Sequence, residues 1–235
     1  MAHRWWDALV AWMGVELDEV SPTEKLVSAL GGFAAMWIVY VICERVVGQG
    51  APFLVASMGA SAVLLFAVPH GQLSQPWPVL AGHIVAAVIG VTCATLLGSS
   101  AVVAALAVAI TILAMHQCKF IHPPGGATAL TAVMGGQAVT SLGYRFVLVP
   151  VALNAVVMVA LAVAINALFA WRRYPARRTG PAVLEPVDPT VEMAEDRSHA
   201  AVLAALREID SFVDVTEEDL LRLHRIITRL EIDGT

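Results

Sequence analysis

The chain has 235 residues, of which 58% are hydrophobic and 14% charged, with a formal net charge of −5. With a mean hydropathy of +0.75, that composition excludes an ordinary soluble domain, in which about a quarter of residues are charged. Several runs match the roughly 20 apolar residues that cross a bilayer, so the expected class is an all-α, polytopic membrane protein.

Residues 2–16 put Trp5, Ala8, Leu9, Trp12 and Met13 on one helical face, with Arg4 and Asp7 elsewhere. Segment 1–20 therefore reads either as an amphipathic helix lying in the membrane interface, where tryptophans sit, or as an unstructured leader that carries aromatics. A cleavable signal peptide is not expected, because the basic start, apolar core and small-residue cleavage site are missing. Six apolar segments follow, at 26–43, 52–68, 79–97, 101–118, 123–139 and 147–171. The first is bounded by Glu24–Lys25 and Glu44–Arg45, and the second opens with Pro52 and closes with Pro69. Gly98–Ser99–Ser100 separates the third from the fourth, and the short fifth is led by Pro123 and Pro124. Cys43, Cys93 and Cys118 lie in or at the ends of these runs without CxxC spacing and read as small core residues, not a disulfide framework.

After the sixth segment arginines cluster in "RRYPARR", residues 172–178, which places that end in the cytoplasm. Arg4 and Lys25 place the N-terminus there too, so the number of crossings is even, four or six. A basic, proline-containing linker at 172–189 leads to an acidic tail at 190–235. Residues 185–235 hold thirteen acidic and five Lys/Arg side chains. Val202, Leu206, Ile209 and Val213, then Leu220, Leu223, Ile227 and Leu230, recur at helical spacing, and Thr216 with Asp219 suits a cap. Two helices of this size bury little surface alone, so the tail is expected to pack on a second copy or on the membrane domain.

The chain also echoes itself. "GASAVL" at 59–64 matches "GATALT" at 126–131, an offset of 67, and each follows a proline. Gly82–His83 similarly falls near Leu153–Asn154, at an offset of 71. Segments 26–97 and 101–171 are therefore expected to be structural repeats. They are inverted if the two proline-led segments cross the membrane and parallel if both are re-entrant; the inverted form, common in transporters, is the expectation adopted.

Three blocks in order, "GASAVLLFAVP" (59–69), "QPWPVLAGH" (75–83) and "HPPGGATAL" (122–130), resemble the HPP family of integral membrane proteins. The resemblance spans about residues 24–171, and "IDSFVDVTEEDLLRL" (209–223) is similar to a C-terminal segment of some members. It implies membrane transport, with nitrite movement associated with plastid and cyanobacterial members. Many relatives have alanine at Gly125, a change expected to leave the turn undisturbed. Many also have an arginine–asparagine pair at Trp77–Pro78, so a capture role of that loop is not carried over.

Between Arg45 and Glu185 there is no Asp or Glu; the formal charges are Lys119, Arg145 and arginines 172, 173, 177 and 178. Cation pathways in membranes rely on intramembrane carboxylates, so a pathway here is expected to favour anions or neutral molecules. Proline suits the first turn of a helix, and a helix start with unpaired N–H groups attracts anions. The starts at Pro52 and Pro124 are therefore expected to converge on a small inorganic anion. Ser57, Ser61 and Thr128 would add hydroxyls, and Gly59, Gly125 and Gly126 would admit close backbone approach, with Pro123 completing the break. His122 and His83 could donate to the anion or take up a proton with it, although His83 also reads as a histidine bonded across helices. Gln75 either lines the path or makes the turn, and Asn154 is a pathway candidate or an interhelical bond. Lys119 is expected to snorkel from its helix end.

The expected partners are thus a small inorganic anion, the lipid bilayer and a second copy of the chain, with Gly31–Gly32 and Gly90 suited to close helix contacts; no nucleic acid, cofactor or metal is expected. The expected location is the plasma (inner) membrane. No nucleophile–base pair, phosphate loop or redox motif supports an enzyme. Two alternatives stand beside transport: a membrane metalloprotein using His116, His122, His83 and Cys118, and a scaffold or sensor signalling through the acidic tail.

Overall fold

The computed structural model describes residues 21–47, 51–172 and 174–176. The expected interfacial segment at 1–20, most of the linker and the acidic tail lie outside the described residues. Seven α-helices are described: α1 (Pro22–Val47), α2 (Ala51–Ala67), α3 (Pro76–Leu97), α4 (Ala101–Gln117), α5 (Pro124–Met134), the one-turn α6 (Gln137–Thr140) and α7 (Leu153–Asn166). A 3₁₀ turn, Gln72–Ser74, precedes α3, and a π-helical turn, Val147–Ala152, runs into α7. No strand occurs among the described residues. The protein is a helical membrane bundle.

Local chemistry sets most boundaries. Ser21 accepts from the Glu24 N–H at 3.2 Å and Pro22 follows it, so α1 starts a turn before the expected 26. Gly98 ends α3 at φ 80°, and Ser100 caps α4 by accepting from the Val103 N–H at 3.3 Å. Two expected segments are not continuous helices. Residues 123–139 break at Gly135–Gly136, the latter at φ 71°, leaving α5 only 11 residues long. The sixth segment departs from helical geometry at Val149, where φ is −135°, and α7 stops at Asn166 rather than reaching 171. Among the described residues three apolar stretches are long enough to cross a membrane, Pro22–Val46, Pro76–Leu97 and Val147–Asn166. At 17 residues, α2 and α4 reach roughly 25 Å.

The packing follows the repeat. α1 packs on α2 and α4 on α5; α3 packs on α5 and α4, and α7 on α2 and α1; α2 meets α5 and α3 meets α7. Exchanging α1 with α4, α2 with α5 and α3 with α7 returns the same set of helix pairs. The Glu24–Arg172 pair sets the start of α1 beside the ends of α2 and α7, and the His122–Leu73 bond sets the end of α4 beside the turn that follows α2. The equivalent helices α1 and α4 therefore run in opposite directions, which is the inverted arrangement. Side chains such as Val39, Leu65, Phe66, Met58, Val151 and Met158 fill the core, while Leu96, Val102 and Leu113 face outward, as lipid contact requires. Close approach uses glycine within the subunit: Gly31 sits under the Phe66 ring and Gly90 on the Ala129 backbone, but Gly32 meets nothing within 4 Å. Cys43 and Cys93 are buried, whereas Cys118, expected in the core, is exposed because it is the C-cap of α4.

Candidate functional site

α4 ends where Lys119 turns to φ 56°, and the chain passes through Phe120, Ile121 and His122 before Pro123 and Pro124 restart a helix. The first amides of α5 are already bound: Gly125 N–H donates to His122 O and Gly126 N–H to Pro123 O, both at 2.9 Å. The expected open cradle of unpaired N–H groups is therefore closed by the turn itself. Nor do the two proline-led starts converge. His122 Nδ1 donates to Leu73 O at 2.8 Å, which sets the start of α5 beside the turn that follows α2. Pro52 lies at the other end of α2, roughly 22 Å away along that helix.

What converges instead is a buried polar chain. Ser61 Oγ lies 2.8 Å from His83 Nε2 and 2.9 Å from His122 Nε2, and His83 Nδ1 lies 2.7 Å from Thr128 Oγ1. The two rings meet edge to face with centroids 5.0 Å apart. Ser61, His83 and His122 are 0% exposed and Thr128 1%, so their hydrogen bonds come from one another and from nearby backbone carbonyls. Ser61 and Thr128 occupy the same position in "GASAVL" and "GATALT". His83 thus bridges two repeat-equivalent hydroxyls, one from each half of the protein.

The other expected residues fall around this chain. Ser57 is buried, and its carbonyl is a longer acceptor for Ser61 O–H at 3.3 Å. Pro124 is buried and Pro123 exposed. A Cβ at Gly125 would stand 2.5 Å from Gly82 O, so a close approach is real there and alanine would not be mild in this chain. At Gly59 and Gly126 a Cβ would meet nothing within 4 Å, so these two glycines admit no close neighbour. Gln75 makes the turn, donating to Pro69 O at 3.1 Å and Gly71 O at 2.9 Å and accepting from Ala176 N–H at 2.9 Å. Asn154 is 1% exposed; neither polar atom of its side chain meets hydrogen-bond geometry among the described residues, and the Cys43 thiol is its hydrogen-bonding neighbour.

One buried centre escaped the sequence reading. Arg172, 1% exposed, ion-pairs with Glu24 and donates to Asn166 Oδ1 at 2.9 Å, Ser28 Oγ at 3.0 Å and Phe66 O. Asn166 in turn donates to Leu65 O at 3.3 Å, so the start of α1 and the ends of α2 and α7 are tied together. Glu24 and Glu44 are the acidic residues between 20 and 184, a scarcity that singles out Glu24 but does not say which cation it meets. Tyr174 closes over the same end, donating to Ser74 O at 2.8 Å; burial pushes its phenol pKa up, which keeps it a donor. His70 donates to Trp171 O at 3.3 Å.

Every ring nitrogen of His83 and His122 is engaged by Ser61, Thr128 or Leu73, while His116 and Cys118 are exposed. Among the described residues no three His, Cys, Asp or Glu side chains group closely enough to hold a metal.

Comparison with known proteins gives a match over residues 17–175 to the model described as HPP, transmembrane region. Two transmembrane proteins of Dictyostelium discoideum are similar. One is 36% identical over 171 residues, 70% of this chain and 55% of its own length. The other is 34% identical over 173 residues, 70% of this chain and 60% of its own length. The chain thus spans somewhat over half the length of these relatives. No solved structure matches.

Proposed function

The chain belongs to the HPP family of integral membrane proteins, and on that premise we propose that it is a transporter or channel for a small inorganic anion, nitrite in the first instance. The observation that carries this reading is His83 held between Ser61 and Thr128, at the contact of two inverted halves and inside a span with no carboxylate from residue 46 to 184. Substrates of inverted-repeat transporters bind at such repeat contacts near mid-membrane. Without acidic side chains the passage has no charge to favour a cation, while histidine N–H and Ser/Thr O–H groups can donate to an anion.

The described conformation is closed, since all four side chains are buried. Passage requires α2 and α3 to part from α5, freeing donors that now satisfy one another. Asn154 supports the same reading from the second half. Its buried amide has only the Cys43 thiol, a weak hydrogen-bonding neighbour, beside it and could donate to an anion leaving the histidines. The reading takes the chain as a homo-oligomer in the plasma (inner) membrane with both termini cytoplasmic, on the side given by the arginines of 172–178.

Flux in proteoliposomes tests it, with nitrite, nitrate, chloride and formate compared for wild type and His122→Ala. Nitrite uptake above that of empty vesicles, lost in the variant, is expected. Equal rates with and without protein would overturn the reading.

A further inference from the structure

The direction of every hydrogen bond in the buried chain follows from one fixed end. A carbonyl only accepts, so Leu73 O requires a proton on His122 Nδ1, 2.8 Å away. In a neutral His122 the other nitrogen, Nε2, is then a lone pair and accepts from Ser61 O–H at 2.9 Å. Ser61 has given its proton to that bond, so it accepts from His83 Nε2–H at 2.8 Å. His83 Nδ1 is then bare and accepts from Thr128 O–H at 2.7 Å. One neutral arrangement satisfies all four side chains, and it points one way.

A second arrangement contains one more proton. His122 carries hydrogens on both nitrogens and donates Nε2–H to Ser61. The Ser61 hydroxyl turns to donate to His83 Nε2, His83 carries its proton on Nδ1 and donates to Thr128, and Thr128 O–H turns away. A fallback acceptor for Thr128 is in place, Pro124 O at 3.4 Å. The added proton enters at His83 Nδ1, the His83 Nε2 proton passes to Ser61, and the Ser61 proton passes to His122 Nε2. Protons balance at each step, and the positive charge ends on His122. No other titratable group bonds either ring. Lys119, three residues before His122, is exposed. With the rings 5.0 Å apart, two imidazoliums would repel, so the chain takes one proton at a time.

We infer that His83, Ser61 and His122 form a one-proton relay, terminated by Leu73 O and Thr128, and that the anion crosses together with the proton this relay carries. The second clause rests on the anion reading above; the first does not. The relay explains why two histidines and two hydroxyls occupy a buried site without a carboxylate. It also gives the passage a positive charge that exists only when a solvent proton has been delivered through an opened flank.

Nitrogen-15 NMR of histidine-labelled protein in lipid reads the relay directly, with His83→Gln and His122→Gln variants assigning the signals. Near neutral pH, His122 is expected as the Nδ1–H tautomer and His83 as the Nε2–H tautomer. On acidification, His122 should become doubly protonated while His83 stays neutral and switches to Nδ1–H, and Ser61→Ala should abolish that coupled switch. A His83 tautomer that does not change as His122 charges would overturn the relay. Coupling is read in proteoliposomes containing a lumenal pH dye, with the membrane potential clamped and empty vesicles subtracting passage of uncharged nitrous acid. Nitrite uptake driven by an inward proton gradient, with lumenal acidification, is expected. Protein-dependent uptake indifferent to the gradient would overturn the coupling and leave the anion reading standing. No protein-dependent uptake would overturn the anion reading and the coupling with it, while the NMR result still decides the relay.

Discussion

A β-carbon at Gly125 would stand 2.5 Å from the Gly82 carbonyl oxygen and 2.6 Å from the Met115 methyl. The methyl is the free end of a flexible side chain and can move; the carbonyl belongs to α3 and cannot. Gly125→Ala is therefore expected to destabilise the protein by about 1–3 kcal/mol, the usual cost of overpacking, seen as a lower unfolding temperature in detergent. Gly126→Ala is the control: a Cβ there meets nothing within 4 Å, and alanine in a helix is favoured over glycine by about 0.5–1 kcal/mol. A Gly125→Ala variant that unfolds like wild type would show that α3 and the break are not in rigid contact. The pair "GG" after "HPP" announces a helix start in the sequence, but only the rotation of that first turn decides which glycine faces α3. Gly82 is the matching case on the other side, where a Cβ would lie 2.7 Å from His122 Cβ, so His122 is held in place by the absence of a side chain.

Three helix ends depend on the chain that leaves α7. Arg172 supplies donors to the Phe66 carbonyl, to Ser28 and to Asn166, and a charge to Glu24. Removing one partner of a buried ion pair costs about 3–5 kcal/mol; because Glu24 is 20% exposed, Glu24→Gln is expected near or below the lower end of that range. Arg172→Met should cost more, since it also leaves the carbonyl at the end of α2 without its donor. Thermal unfolding of both variants and of the double variant checks this: the double should cost little more than Arg172→Met alone. Strict additivity would show that the two side chains act independently. The end of α3 and the whole of α4 were legible almost to the residue, because Gly98 and Ser100 mark a stop and a cap. The Arg172 centre was not, because its partners are up to 148 positions away and a terminal arginine ordinarily reads as a topology signal alone. The same blindness hid the fate of the α5 amides, whose acceptors are backbone carbonyls that no residue type reveals.

At the scale of the whole molecule, a six-residue echo at an offset of 67 was enough to expect two halves. The helix pairing and the placement of Ser61 and Thr128 on one histidine give that echo its physical content. Side is the property the bundle leaves to charge, because a helix has the same backbone whichever way it crosses. Contacts nevertheless link several segments to one face. His122 bonds to Leu73 and Tyr174 to Ser74, so the end of α4 and Tyr174 flank the same turn. If the arginines of 172–178 face the cytoplasm, Cys118, exposed at that end of α4, faces it as well. A membrane-impermeant maleimide is therefore expected to label Cys118 in inside-out vesicles but not in intact cells or right-side-out vesicles. Cys43 and Cys93, both buried, should react only after denaturation. Labelling of Cys118 from the outside would reverse the orientation of both halves together, since the Arg172 centre holds α1, α2 and α7 to the same face.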